Sequence, residues 1–230
     1  MTEEELVASY PRLWHMAHDG AWPALRARGL KSATALLDDY DIQGEQRERL
    51  LSFRRPKSVT ITAPGLPGAV LRDQKPMNDA RLMACLGDGL VPRNWYELLN
   101  TMSFFWLSRS RIWSLLRARA YRDVAQTVLT LDTASLVAAH RDRIWLSPIN
   151  SGATLFRPQL RSRATFMRVE DFPFAERAAT RAIENNVVEL VVDYAVPDLA
   201  GHVVAVHRAL NDEVVAEIWR RPNASDAERP

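Results

Sequence analysis

Two ionisable residues stand inside strand-like apolar runs near opposite ends of the chain. His15 lies in Arg12-Leu13-Trp14-His15-Met16-Ala17, and Glu189 in Asn186-Val187-Val188-Glu189-Leu190-Val191-Val192. Strand interiors favour β-branched and aromatic side chains, so an imidazole or a carboxylate placed there needs a partner or a purpose. Their separation along the chain points to a site assembled by the fold rather than to a local loop motif. Ser103-Phe104-Phe105-Trp106-Leu107 reads as a buried strand. Phe104 and Trp106 share one face of that strand and Phe105 the other, so only one set can wall a ligand. Arg72-Asp73-Gln74-Lys75 brings two strong phosphate donors together, and Asn150-Ser151-Gly152 supplies turn chemistry ahead of Glu189 that could shape a substrate loop.

Other chemistries lack their signatures. His15 and His18 are three apart on a strand, as opposite-facing residues are, and His202 and His207, five apart on an expected strand, are divided by the same parity. There is no His-Glu-x-x-His helix, so no metal site is expected. Cys85 is the only cysteine, which excludes an intrachain disulfide and any thiolate-rich cluster; it reads as a small core residue. Gly87-Asp88-Gly89 has Pro92 where a dinucleotide fingerprint needs its third glycine, and neither a P-loop nor a Gly-x-Ser-x-Gly elbow is present.

The elements that must position these residues follow from pattern. Thr2 and Glu5 form a capping box for an opening helix. Asp19 is expected to cap a helix that Gly29 stops, and two short helices fill 32–53, broken around Asp41 to Gly44. Strands at 58–62 and 69–72 pair across Pro64-Gly65-Leu66-Pro67-Gly68. Helices are expected at 78–86, 92–99, 109–120 and 133–140, the last capped by Asp132, with strands at 127–131 and 143–146. Residues 147–186 read as irregular, and strands around Glu189 and His202 close the core. The reading is one domain over 1–220 with a disordered polar tail at 221–230.

Hydrophobic residues make up 47% and charged residues 25% of the 230, an ordinary balance for a soluble globular protein. No apolar run approaches the roughly 20 residues of a membrane helix, and the acidic start Met1-Thr2-Glu3-Glu4-Glu5 lacks the basic region of a signal peptide. A cytoplasmic protein with no membrane partner is expected. Net charge is +2, and all its cations but Lys31, Lys57 and Lys75 are arginines, planar donors suited to phosphates and carboxylates.

Three segments together resemble the ADP-ribosyltransferase superfamily, in its bacterial nucleic-acid-modifying and toxin-like branch. They are Leu13-Trp14-His15-Met16 leading to Gly29-Leu30; Phe104-Phe105-Trp106, a helix, then Val128-Leu129-Thr130-Leu131-Asp132; and Val188-Glu189-Leu190-Val191 with Val196-Pro197. They cover about a third of the chain. Its whole length also resembles a bacterial family with no assigned activity, through Arg72-Asp73-Gln74-Lys75-Pro76 and Trp145-Leu146-Ser147-Pro148-Ile149-Asn150-Ser151-Gly152.

The superfamily resemblance implies an α+β fold: an ADP-ribosyltransferase-like split central sheet with inserted helices. It implies NAD as co-substrate, with Glu189 and His15 catalytic and His15, Phe104, Phe105, Trp106 and Arg72 binding NAD. Lys75, Asn150 and Ser151 are the candidates for the other substrate. The carboxylate would stabilise the sugar cation left when nicotinamide departs, and His15 would hold a ribose hydroxyl. The implied acceptor is a nucleic acid or a protein, and an antitoxin is an implied partner. Val187 replaces the second acidic residue of arginine-modifying members, which disfavours that acceptor. Two alternatives stay open: a non-catalytic nucleotide- or protein-binding module, and an RNA 2′-phosphotransferase in which Arg72, Lys75, Arg157 or Arg161 would hold the internal phosphate.

Overall fold

The apolar runs spaced along the chain meet in one large sheet. A computed structural model describes residues 1–156, 158–225 and 228–230. The strands are β1 (Arg12–His18), β2 (Leu30–Lys31), β3 (Val59–Ile61), β4 (Ala69–Leu71), β5 (Met102–Trp106), β6 (Gln126–Asp132), β7 (Ile144–Ser147), β8 (Glu189–Asp193), β9 (Ala195–Val196), β10 (Val203–Leu210) and β11 (Glu213–Arg220). The helices are α1 (Glu3–Ser9), α2 (Trp22–Arg28), α3 (Ala33–Asp39), α4 (Gly44–Ser52), α5 (Asp79–Met83), α6 (Pro92–Asn100), α7 (Arg109–Leu116), α8 (Thr133–His140), α9 (Phe174–Ala178) and α10 (Leu199–His202). None of these helices is long and apolar enough to cross a membrane.

The fold is mixed α+β. Seven strands form an antiparallel sheet in the order β11-β10-β6-β1-β5-β8-β7. Position in the sheet follows side-chain chemistry. All of β6 but its last residue is buried, as Gln-Thr-Val-Leu-Thr-Leu permits, and β6 is an interior strand. β11 carries mostly exposed side chains and lies at an edge. One junction is unlike the others. β1 pairs with β6 along its whole length, from Arg12↔Asp132 to His18↔Gln126, but meets β5 only at Trp14↔Trp106. The sheet is therefore held by one register position between β1 and β5.

One face carries Leu13, Phe105, Leu129, Leu131, Leu146, Leu190 and Val206, covered by Leu6 of α1, Trp22 of α2, Leu136 of α8 and Leu199 of α10. Each such side chain contributes roughly 1.5–3 kcal/mol on burial. The other face is covered in two patches. Ile112 and Leu116 of α7 pack on Trp14 and Val128, while Trp95, Tyr96 and Leu99 of α6 pack with Met102 and Val191. The β3–β4 hairpin joins α3 and α4 around a separate small core of Leu37, Tyr40, Leu50, Ile61 and Leu71.

Gly29 ties the start of the chain to its end. It has φ +75°, and a Cβ there would lie 2.4 Å from the Val196 carbonyl oxygen, so only glycine lets β2 pair with β9 this closely.

Four local expectations change. Asp19 does not cap α2, whose N-cap is Ala21 without a side-chain bond; its carboxylate instead pairs with Arg208. α7 ends at Leu116 rather than near Ala120. His202 ends the short helix α10 instead of opening a strand. β11, absent from the sequence reading, follows the Asn211-Asp212 turn, with Asn211 at φ +57°. That dipeptide is the hairpin signal that could have found it.

Candidate active site

A cleft of about 480 Å³ opens where β1 and β5 part, and its walls include His15, Arg72, Phe104, Trp106, Ser151 and Glu189. Two side chains from opposite ends of the chain thus share one cavity. The β3–β4 hairpin and α2–α3 close its far side through Leu25, Leu36 and Val70.

Glu189 begins β8, opposite Trp106 of β5 and Ser147 of β7. Central placement leaves it only 4% exposed. It has no arginine within ion-pair distance among the described residues. The Ser151 amide N–H donates to both carboxylate oxygens, at 3.2 Å each. Burial raises the carboxyl pKa to about 7; the Ser151 hydroxyl and amide, then the charges of Arg161 and Arg111, oppose the rise. Ser151 Oγ is itself buried and forms no complete hydrogen bond among the described residues.

The loop that presents Ser151 is fixed by Arg161, which is 1% exposed. Its guanidinium donates to the carbonyls of Asn150 (3.0 Å), Ser151 (3.4 Å), Ala153 (2.5 Å) and Gln159 (2.6 Å). Trp95 Nε1–H donates to the Ser151 carbonyl at 3.2 Å, and the Thr154 amide to the Pro76 carbonyl at 2.9 Å. The segments 72–76 and 145–152 are therefore joined just past Gly152.

His15 is set differently. Its Nδ1 lies 2.8 Å from the Phe104 carbonyl oxygen, across the junction where the β1–β5 ladder lapses. A carbonyl only accepts, so Nδ1 carries the proton and Nε2 is left as an acceptor. Burial, together with the charge of Arg72, lowers its pKa to about 4, against the Phe104 bond. The imidazole is neutral at physiological pH.

These opposed shifts predict a pH dependence. Glu189, raised in the folded state, contributes stability present below its unfolded pKa near 4.3 and lost as pH rises through about 7. His15, depressed, contributes stability present above about 6.5 and lost as pH falls through about 4. Urea unfolding at pH 5 and pH 8 should show Glu189→Gln gaining about 3 kcal/mol on wild type between the two, because His15 is common to both proteins. An equal pH dependence in the two proteins would refute the shift.

The register decides which aromatics face Glu189. Trp106 stands directly opposite it and Phe104 two residues on, both half-buried on its face of the sheet. Phe105 is 1% exposed and belongs to the opposite core, its ring 5.8 Å from that of His15. It packs beside His15 and also borders the cleft. Arg72 reaches the cleft, donates to Gln126 Oε1 at 2.7 Å, stacks 5.5 Å from the Tyr121 ring, and has no carboxylate within 4 Å among the described residues. Asn150 lines the cleft beside Ser151.

Other expected donors lie elsewhere. Lys75 is outside the cleft wall; its ammonium donates to the Ala120 carbonyl at 3.3 Å and lies 3.8 Å from Asp73. Arg161 is spent on the loop, and Arg157 falls outside the described residues. Sequence reading missed Arg55, buried behind Arg72 and bonded to its carbonyl (3.1 Å) and to Asn100 (2.8 Å), and also Tyr121, whose hydroxyl donates to Asp73. It also missed that His140 and His202 converge on Asp198, at 2.8 and 3.1 Å. Arg143 can only donate to His140 Nδ1, so His140 Nε2 carries a proton toward Asp198 rather than a lone pair for a metal. Cys85 is buried beside Arg161, as a small core residue.

Residues 11–203, which include every cleft residue named above, match a protein family described as "Family of unknown function (DUF7002)". No curated protein matches the chain.

Proposed function

The chain belongs to the DUF7002 family, and we propose that it is an NAD-dependent ADP-ribosyltransferase with the split-sheet fold of that superfamily. The observation that carries this reading is the meeting of His15 and Glu189 in one cleft, at the junction where β1 and β5 share a single register position. Arg72 supports it, as a cation at the wall with no carboxylate within 4 Å among the described residues, where a diphosphate needs one.

In this reading NAD is substrate. The bond from nicotinamide to its ribose breaks, nicotinamide leaves with the electron pair, and the acceptor forms a bond to the same carbon while losing a proton. Glu189 contributes negative charge beside the cationic sugar, in a setting too buried for water to screen it. His15 accepts a hydrogen bond from a ribose hydroxyl through Nε2. Phe104 or Trp106 stacks on the nicotinamide ring and excludes water. A nucleic acid is the proposed acceptor, with a protein or water as alternatives.

The test is nicotinamide release from NAD by the purified protein, with and without single-stranded DNA, RNA or protein acceptors. Release is expected, and His15→Ala should raise the KM for NAD about tenfold with little change in kcat, the effect of one hydrogen bond made equally before and during reaction. NAD binding with no release under any of these conditions would instead identify a non-catalytic module. Arg72 also suits an internal RNA phosphate. Release only on addition of a 2′-phosphorylated RNA would identify the phosphotransferase.

A further inference from the structure

A second pocket, of about 440 Å³, adjoins the cleft. Its lining includes Arg111, Asn150, Gln159, Arg181, Asn185 and Val188. Asn150 lines both cavities, and Val188 of the second pocket directly precedes Glu189 of the cleft. Two arginines are gathered here, with no ion pair to either within 4 Å among the described residues. Arg111 donates from one terminal nitrogen to Asn185 at 2.8 Å, while its Nε is buried with no acceptor among the described residues. A buried N–H without an acceptor is costly, and a ligand oxygen would relieve it. Arg181 is exposed and close enough to Arg177 for the like charges to oppose one another. Glu184 and Glu189 are in electrostatic range of Arg111, but neither forms an ion pair with it within 4 Å among the described residues.

We propose that this second pocket binds a phosphodiester group of the acceptor, held by Arg111 and Arg181 while NAD occupies the main cleft. Two guanidinium forks with the side-chain amides of Asn150, Gln159 and Asn185 line the pocket with N–H donors, which the two anionic and two ester oxygens of a phosphodiester, set tetrahedrally, can engage from several directions. Phe156, three residues before Gln159, is 90% exposed, so its ring is open to stacking by a base. The role as acceptor subsite rests on the transferase reading; binding of the anion does not.

The experiment is calorimetric titration of inorganic phosphate into the full chain and into Arg181→Glu, Arg111→Gln and Arg72→Gln. The expected result is binding by wild type, weakened at least tenfold by Arg181→Glu and by Arg111→Gln, and left in place by Arg72→Gln and by saturating NAD. A short single-stranded oligonucleotide should displace the phosphate. No binding, or binding abolished by Arg72→Gln and untouched by Arg181→Glu, overturns the proposal. Displacement by phosphoserine and not by the oligonucleotide overturns the phosphodiester assignment. None of these readings requires turnover, so failure of the transferase reading would show separately, as NAD binding without nicotinamide release.

Discussion

Glu189→Gln should reduce nicotinamide release by on the order of 10²–10³-fold, the usual cost of removing one preorganised group that stabilises transition-state charge. The same variant should unfold at higher denaturant than wild type at pH 8. The two effects have one cause. Glu189 lies in the sheet with its carboxylate held by the Ser151 amide N–H, and burial raises its pKa to about 7. Ionising it therefore costs the folded protein stability, and a neutral amide of the same shape avoids that cost while keeping the Ser151 bond. A group that weakens the fold where an amide would not is one whose charge serves something else. The positive nicotinamide ring would supply the missing counter-charge and draw the carboxyl into its ionised form, so turnover should rise with pH toward 7. Chromatography of nicotinamide beside chemical unfolding of both proteins measures both effects. Wild-type rates in Glu189→Gln would remove Glu189 from the reaction, and a less stable variant would remove the electrostatic account of its burial.

How far this site was legible depended on whether a residue's local company betrayed it. His15 and Glu189 stood out because a titratable group in a strand interior is unusual whatever the fold, and both line the cleft. Strand parity separated Phe105 from Phe104 and Trp106, but choosing between the faces needed the register Trp106↔Glu189, which no local pattern carries. Arg72 and Lys75 looked equivalent as phosphate donors. The chain turns between them, sending Arg72 to the cleft wall, where it bonds Gln126, and Lys75 to the Ala120 carbonyl outside it. His202 read as a strand residue because the apolar run of β10 begins directly after it; its capture by Asp198 is a helix-turn contact four residues long. Most strands of the large sheet and most helices followed from periodicity, but not their antiparallel order. The single register position between β1 and β5, which makes the cleft, is a long-range property without a local signal.

Arg161 is the clearest case of a residue hidden from sequence, and Arg161→Met should be the most damaging single change at this site. In the sequence it is one arginine among many in an irregular stretch. In the fold it is 1% exposed, with no carboxylate within ion-pair distance among the described residues and donors to four carbonyls of the 150–159 loop. Removing the guanidinium strands several of those carbonyls without water or a partner, at about 1–3 kcal/mol each, so a loss of roughly 3–5 kcal/mol of stability is expected. Arg161→Lys keeps the charge but has neither the planar fork nor its reach, and should recover only part of that loss. A structural role alone would stop there. Arg161 also acts on Glu189, because the loop it holds presents the Ser151 amide and its charge opposes the rise in the carboxyl pKa. In protein that remains folded, the Met variant should therefore shift the alkaline-rising limb of nicotinamide release to higher pH, and the Lys variant should restore the limb more fully than it restores stability. Urea unfolding with pH–rate profiles of the three proteins separates the roles. A Met variant within about 1 kcal/mol of wild type would show that the loop does not need the guanidinium. An unmoved pH limb would show that Arg161 holds the loop without tuning the carboxylate.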